Sequence, residues 1–248
     1  MSVKRIFMEE FKVKKKILAI VPARGGSKGV KKKNLRILGD KPLINWTLDE
    51  AKKSKFIDRL IVSTEDDEIQ SVALKNDVQV VKRPLELAKD ESPTIDAILH
   101  ALDCLEQEGY VPDYIILLQC TVPFRKVEHI DEAILRFMDN ISETESLISV
   151  TESEDIPYWY KSIDDTGVLC DFLKYDKSKY TRRQDFEKVY KLNGAIYITK
   201  LKSLYDNKSF ESDRALSYIM DKISSIDIDT EFDLEYVKFN LMMEKRGI

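Results

Sequence analysis

The chain has 248 residues, 43% of them hydrophobic, enough to enclose one sizeable core or one core with a small appendage. Its 40 basic and 44 acidic residues leave a net charge of -4, so no global positive field draws nucleic acid or an anionic membrane, and any anion site must be local. Cys104, Cys120 and Cys170 are odd in number and far apart, which suits neither a disulfide framework nor a zinc knuckle and points to a reducing cytoplasm.

Residues 1–15 carry no long apolar region and read as a loosely ordered N-terminal extension; no later segment is apolar enough to span a bilayer. "KILAIVPA" then reads as a strand buried on both faces, because it is apolar without alternation. "PLINWTLDEAKKS" repeats apolar residues at helical spacing and "RLIVST" is a second strand. The alternation continues through helix "DDEIQSVALKND", strand "VQVVKR", helix "PTIDAILHALDCLEQEG", strand "DYIILLQC", helix "KVEHIDEAILRFMDN" and strand "SLISVT". This rhythm predicts an α/β fold, a mostly parallel twisted sheet with helices on both faces. It fails over residues 152–189, which are rich in aromatics and charges without a clear period; the segment suits an irregular excursion or an oligomerisation arm. Regular structure resumes at "NGAIYIT" and "LSYIMD", and the last helix begins near Thr230, which stands with Asp233 at capping-box spacing.

Two constellations carry chemistry. After the first strand, "AIVPARGGSKGVKKKNL" sets Gly25, Gly26 and Gly29 among Arg24, Lys28 and Lys33. In an open α/β sheet this loop lies at the carboxyl edge where ligands bind, and bare backbone beside fixed cations suits a polyphosphate. The spacing matches neither GxxxxGK[ST] nor GxGxxG; Lys31 and Lys32 suit a solvated turn. Far along the chain, "IDID" read as a strand points Asp227 and Asp229 to one face. Two hard oxygen ligands beside phosphates suit Mg²⁺, although Asp229, next to Thr230, equally suits a cap of the last helix.

With these residues in view, the sequence resembles the acylneuraminate cytidylyltransferases, the CMP-sialic acid synthetases. "PARGGSKGVKKKNLRILGDKPLINWTL", "IDRLIVSTEDDEI", "RPLELAKDESPT", "LLQCTVPFR", "NGAIYIT" and "IDIDTEFDL" follow in family order across nearly all of Ile17 to Met243. The resemblance implies a Rossmann-like cytidylyltransferase, residues 16–151 and 190–248, that joins CTP to a 2-keto nonulosonic sugar acid and releases pyrophosphate. By position, Arg24, Ser27, Lys28, Lys33 and Asn34 would surround the triphosphate, and Arg83 and Thr94 the rest of the nucleotide. Gln119, Arg183, Asn193 and Tyr197 would face the sugar acid, Asp227 and Asp229 would hold Mg²⁺, and Arg24, Lys33 and Asp229 would carry the catalysis. Residues 152–189 would form an arm that makes a homodimer and helps close the partner's site.

Cys120 stands where the family often has serine or proline, and Lys191 where arginine is common; Lys161 reaches register with the arm's basic residue only through a gap. The resemblance, with these departures, implies an acceptor of neuraminate, legionaminate or pseudaminate type. An eight-carbon acid of the Kdo type, and a non-catalytic nucleotide-binding regulator on the same fold, are the alternatives. His100 and His129 have no partner suggesting catalysis, Trp46 and Trp159 suit packing, and Cys120 has no base to activate it. The expected reaction is direct displacement, with Arg183, or its neighbour Arg182, facing the acceptor's carboxylate because a planar guanidinium suits that anion.

Overall fold

The computed structural model describes residues 15–176, 178–179 and 182–246; nearly all of the expected N-terminal extension lies outside them. Strand β1 (Ile17–Pro22) is buried along almost its whole length, and residues apolar on both faces place it centrally. It pairs in parallel with β4 (Arg59–Thr64) and β6 (Tyr114–Leu117), and β5 (Gln79–Lys82) adds in parallel outside β4. Between β1 and β4 lie a two-stranded hairpin, β2 (Ile37–Leu38) and β3 (Lys41–Pro42), and helix α1 (Leu43–Lys53).

The far half of the sheet contains β7 (Ser146–Glu152), β10 (Tyr190–Lys200) and β11 (Ala215–Met220), in the order β11-β7-β10-β6-β1-β4-β5. β10 alone runs antiparallel, against both β6 and β7. The remaining helices are α2 (Asp67–Lys75), α3 (Thr94–Gln107), α4 (Val127–Asp139), α5 (Leu201–Asn207) and α6 (Glu231–Arg246).

Alternate residues of β1 feed opposite layers, as strand geometry requires. Ile17, Ala19 and Val21 pack with Ile44 and Leu48 of α1, Ile69 of α2 and Ile130, Ile134 and Phe137 of α4. Leu18 and Ile20 pack with Ile98, Leu102 and Leu105 of α3 and Leu204 of α5. The sheet is thus covered on both faces. A third cluster positions the site: Val30 of the glycine loop and Leu38 of β2 meet Ile228 and Leu234, Val237 and Leu241 of α6. Burying these side chains draws the last segment onto the loop after β1.

The predicted capping box is present: Thr230 N and Oγ1 donate to Asp233 Oδ2 at 2.7 and 2.8 Å, and Asp233 N donates back to Thr230 Oγ1 at 3.2 Å. Two sequence expectations need correction. Residues 226–229 form no sheet strand; Ile226 N donates to Ile223 O at 3.2 Å and Ile228 N to Thr121 O at 2.9 Å, and Ile228 packs against α6 instead of pairing in the sheet. Residues 152–189 are not wholly irregular, since β8 (Lys161–Ile163) and β9 (Leu169–Asp171) form their own hairpin, separate from the main sheet.

Candidate active site

At the carboxyl end of β1 the chain turns through the glycine loop and folds back on itself. A Cβ on Gly29 would stand 1.9 Å from the carbonyl oxygen of Asp229, so only glycine lets the loop touch the acidic segment. Gly25 N donates to Glu65 Oε1 at 2.7 Å, fastening the loop to the end of β4. The buried Asn34 amide donates to Arg24 O at 3.1 Å, closing the loop on itself. These bonds hold the loop's backbone before any ligand arrives.

A cleft of ≈ 390 Å³ opens over this loop, and Arg24, Ser27, Lys28, Lys33, Asn34, Arg83 and Thr94 all line it, together with Gln119 and Asp229. Every residue that the sequence assigned to the nucleotide therefore borders one space. Thr94 opens α3, where the helix dipole favours an anion. The buried Arg83 guanidinium donates through Nε to Glu65 Oε2 at 3.0 Å. Glu65 thus binds the glycine loop with one oxygen and Arg83 with the other. Arg24 Nη1 and Lys28 Nζ both reach the carboxylate of Asp90, at 2.8 and 2.9 Å.

Lys33 crosses to the acidic segment, donating to Ile228 O at 2.6 Å and to Asp229 Oδ1 at 3.1 Å. Its side chain is 14% exposed and that of Asp229 75%, so the lysine is fixed and the carboxylate faces open space. Thr230, not Asp229, caps α6 through its side chain, which leaves the Asp229 carboxylate free of that task. Asp227 lies deeper, with Oδ1 buried and without a hydrogen-bond partner. Burial pushes its carboxyl above the ordinary aspartate range, the Asp229 charge adds to this, and Thr121 and Lys33 oppose it.

An orphaned buried carboxylate oxygen beside an exposed carboxylate fits a hard divalent cation that takes its other ligands from phosphate and water. Among the described residues no group of three or more His, Cys, Asp or Glu could form a complete protein cage, so the pair alone would be the protein's share.

The residues assigned to the sugar acid scatter more widely. Gln119 borders the cleft and lies near Gly194, whose φ of +70° calls for glycine and where a Cβ would stand 3.1 Å from Gln119 Oε1. Asn193 is buried and satisfied, accepting from Ser149 Oγ at 2.6 Å and donating to Ser225 Oγ at 2.9 Å. Tyr197 packs edge-on to Phe210; burial pushes its phenol up, and the charges of Glu211 and Asp227 add to this. Arg183 sits on the arm, outside the cleft-lining set, and donates to Glu154 O at 2.8 Å. Lys161 pairs across the arm hairpin with Asp171.

Four residues of the site had no role in the sequence reading. Glu65 and Asp90 counter its arginines, and Thr121 borders the cleft. Arg125, only 1% exposed, donates through Nη1 to Gln119 O at 3.1 Å and Ala195 O at 2.8 Å, and through Nη2 to Thr47 Oγ1 at 2.7 Å. Burial brings its guanidinium down to about 10, with Cys120 and Glu50 opposing. Arg125 stood in the quoted "LLQCTVPFR", but an arginine in a loop is normally a solvated one. Burial of Cys120 pushes its thiol up to about 12, so it is no nucleophile at neutral pH.

A profile of the cytidylyltransferase family matches residues 18–239. The chain is 37% identical over 221 residues to an N-acylneuraminate cytidylyltransferase of Escherichia coli O18:K1:H7, covering 89% of this chain and 51% of that protein. It is 38% identical over 223 residues to a CMP-N,N'-diacetyllegionaminic acid synthase of Legionella pneumophila, covering 88% of this chain and 93% of that one. The chain spans about half the length of the first of these relatives and nearly all of the second. A CMP:2-keto-3-deoxy-manno-octonic acid synthetase complexed with CTP shares the fold, with a TM-score of 0.68 at 16% identity over 92% of this chain and 99% of that one. With the family's profile running from β1 into α6 and its motifs gathered round one cleft, this chain belongs to the cytidylyltransferase family.

Proposed function

We propose that the protein joins CTP to a 2-keto nonulosonic sugar acid of the neuraminate, legionaminate or pseudaminate type. The observation that carries this reading is the convergence of the glycine loop, Arg83, Gln119 and Asp229 on one cleft. The relatives named for N-acylneuraminate and for diacetyllegionaminic acid supply the acceptor class.

The acceptor's anomeric hydroxyl attacks the α-phosphorus of CTP; a new oxygen–phosphorus bond forms, the bond to the bridging oxygen breaks, pyrophosphate leaves and the hydroxyl proton passes to solvent. Arg24, Lys28 and Lys33 hold the phosphate oxygens and offset the negative charge that gathers on the departing pyrophosphate. Fixed Lys33 acts with little reorganisation, since Ile228 O already orients it. Gln119, at the cleft beside Gly194, orients the acceptor. Asp227 and Asp229 would hold Mg²⁺, which when bound supplies charge neutralisation at the phosphates.

The arm's exposed Trp159, Ile163, Leu169 and Phe172 favour a homodimer built through it. All three cysteines are free, which accords with the cytoplasm. Among the described residues no helix is long and apolar enough to cross a membrane.

Pyrophosphate release from CTP, measured across a panel of sugar acids with Mg²⁺, tests the reading. Nonulosonic acids should support turnover, an eight-carbon acid should not, and a non-catalytic regulator would bind CTP without release. Asp229→Asn should stay folded and lose turnover by orders of magnitude; near-normal turnover at saturating CTP would remove the metal assignment.

A further inference from the structure

Four of the five cations lining the cleft, Arg24, Lys28, Lys33 and Arg83, already face carboxylates of the chain itself. Arg83 is held by Glu65, Lys33 by Asp229, and Arg24 and Lys28 together by Asp90. The three pairings differ in kind. Glu65 is built in: its side chain is 10% exposed and it also accepts Gly25 N, so releasing it would break the loop. Asp229 is the candidate metal ligand.

Asp90 matches neither description. It belongs to a short turn between the 3₁₀ segment Leu85–Ala88 and α3, a turn tied by Ser92 Oγ to Glu86 O at 2.7 Å and Ser92 N to Lys89 O at 3.1 Å. The turn stands on the wall facing the glycine loop, and its carboxylate spans the cleft, Oδ1 to Arg24 Nη1 and Oδ2 to Lys28 Nζ. Lys28 and Arg24 hold that carboxyl below the ordinary aspartate range.

Two oxygens of one anion touching two loop cations is the geometry a phosphate group would adopt. We propose that Asp90 is an internal stand-in for phosphate, occupying the Arg24–Lys28 position in the free enzyme and selecting against ligands too weakly charged to displace it. The inference rests on the nucleotide reading of the cleft.

The pair is exposed, Lys28 at 77%, so each bond to Asp90 is weak and exchangeable. A tethered carboxylate nevertheless competes at a high effective concentration. A single phosphate gains little over it, while a triphosphate that also reaches Lys33 gains enough to displace it. Once displaced, Asp90 faces the phosphates as a like charge, and its return to Arg24 and Lys28 favours departure of pyrophosphate over its retention.

The test uses inorganic tripolyphosphate and pyrophosphate as probes, titrated calorimetrically into wild type, Asp90→Asn, Asp90→Glu and, as a control for net charge, Glu235→Gln, all in chelator. Asp90→Asn should bind both probes at least fivefold more tightly, Asp90→Glu and Glu235→Gln should stay within twofold of wild type, and product inhibition by pyrophosphate should tighten in Asp90→Asn under turnover with Mg²⁺. Unchanged or weaker tripolyphosphate binding by Asp90→Asn, or equal tightening by Glu235→Gln, overturns the inference. If the probes tighten as stated but wild type releases no pyrophosphate from CTP with any sugar acid, the stand-in holds and the proposed reaction falls.

Discussion

At Gly29 the chain has no space for a methyl group, and at Arg125 it buries a full charge. Both departures from ordinary packing hold site backbone in place. Arg125 costs the fold something, because a buried guanidinium forfeits water and gains here only neutral acceptors. What it secures is the carbonyl of Gln119 and the strand residue beside Gly194. We expect Arg125→Met, similar in reach and uncharged, to raise the Michaelis constant for the sugar acid at least tenfold while CTP affinity stays within threefold. Steady-state kinetics beside direct CTP titration would check this, and parallel loss of both would mean that the loop as a whole had moved.

Asp227 makes the opposite exchange. Burial raises its carboxyl above the unfolded value, so the native state holds more protons than the unfolded state in that range and stability falls as pH rises through it. Asp227→Asn should therefore melt at a higher temperature than wild type at neutral pH in chelator, and the gain should vanish below the ordinary aspartate range, near pH 4. Melting curves at pH 7 and pH 4 give the sign directly. A lower melting temperature at pH 7 would show that the carboxylate is stabilised by contacts its charge needs.

At the scale of elements, the hairpin of β8 and β9 raises a question of partners. Ile163 and Leu169 stand opposite each other in its register and are 70% and 67% exposed, while the ring of Phe186 packs against Tyr158, Trp159 and Tyr175 at the arm's base. The base is therefore ordered by its own aromatics, and the hairpin leaves an apolar face uncovered. If a second copy covers it, Ile163→Ser with Leu169→Ser should yield monomers by sedimentation and lower activity, because the arm would no longer approach the partner's cleft. A dimer that survives this double change is made elsewhere. The same approach is what would bring Arg183, distant from its own cleft lining, to an acceptor's carboxylate.

The molecule as a whole builds its cleft from segments remote in sequence: the loop after β1, Arg83 at the end of β5, the turn before α3, the loop after β6 and the approach to α6. A ligand bridging these pieces binds the folded chain alone and must raise its melting temperature. CTP with Mg²⁺ should raise it more than CTP in chelator, since the metal offsets repulsion between the triphosphate and Asp229. Equal shifts in both conditions would argue against a metal at this pair. Scanning calorimetry of wild type and Asp229→Asn would separate the contribution of the metal from that of the nucleotide.

The sheet's strands and helices were legible in the sequence, because hydrophobic periodicity is a local record of which face meets the core. "RLIVST" is β4 to the residue, and "KILAIVPA" brackets β1. The short hairpins and α5 were not legible, since two- and three-residue strands and a seven-residue helix leave too few periods to read. The residues that gather round the cleft were legible as a loop of glycines and cations and through the motifs quoted for the family. Only the tertiary structure decided which charges meet. Glu65, Asp90 and Arg125 became part of the site because packing placed them opposite Gly25, Arg24 and the Ala195 carbonyl. No local pattern encodes a pairing across such distances in the chain; it follows from how β1, β4, β6 and α6 bury their apolar faces together.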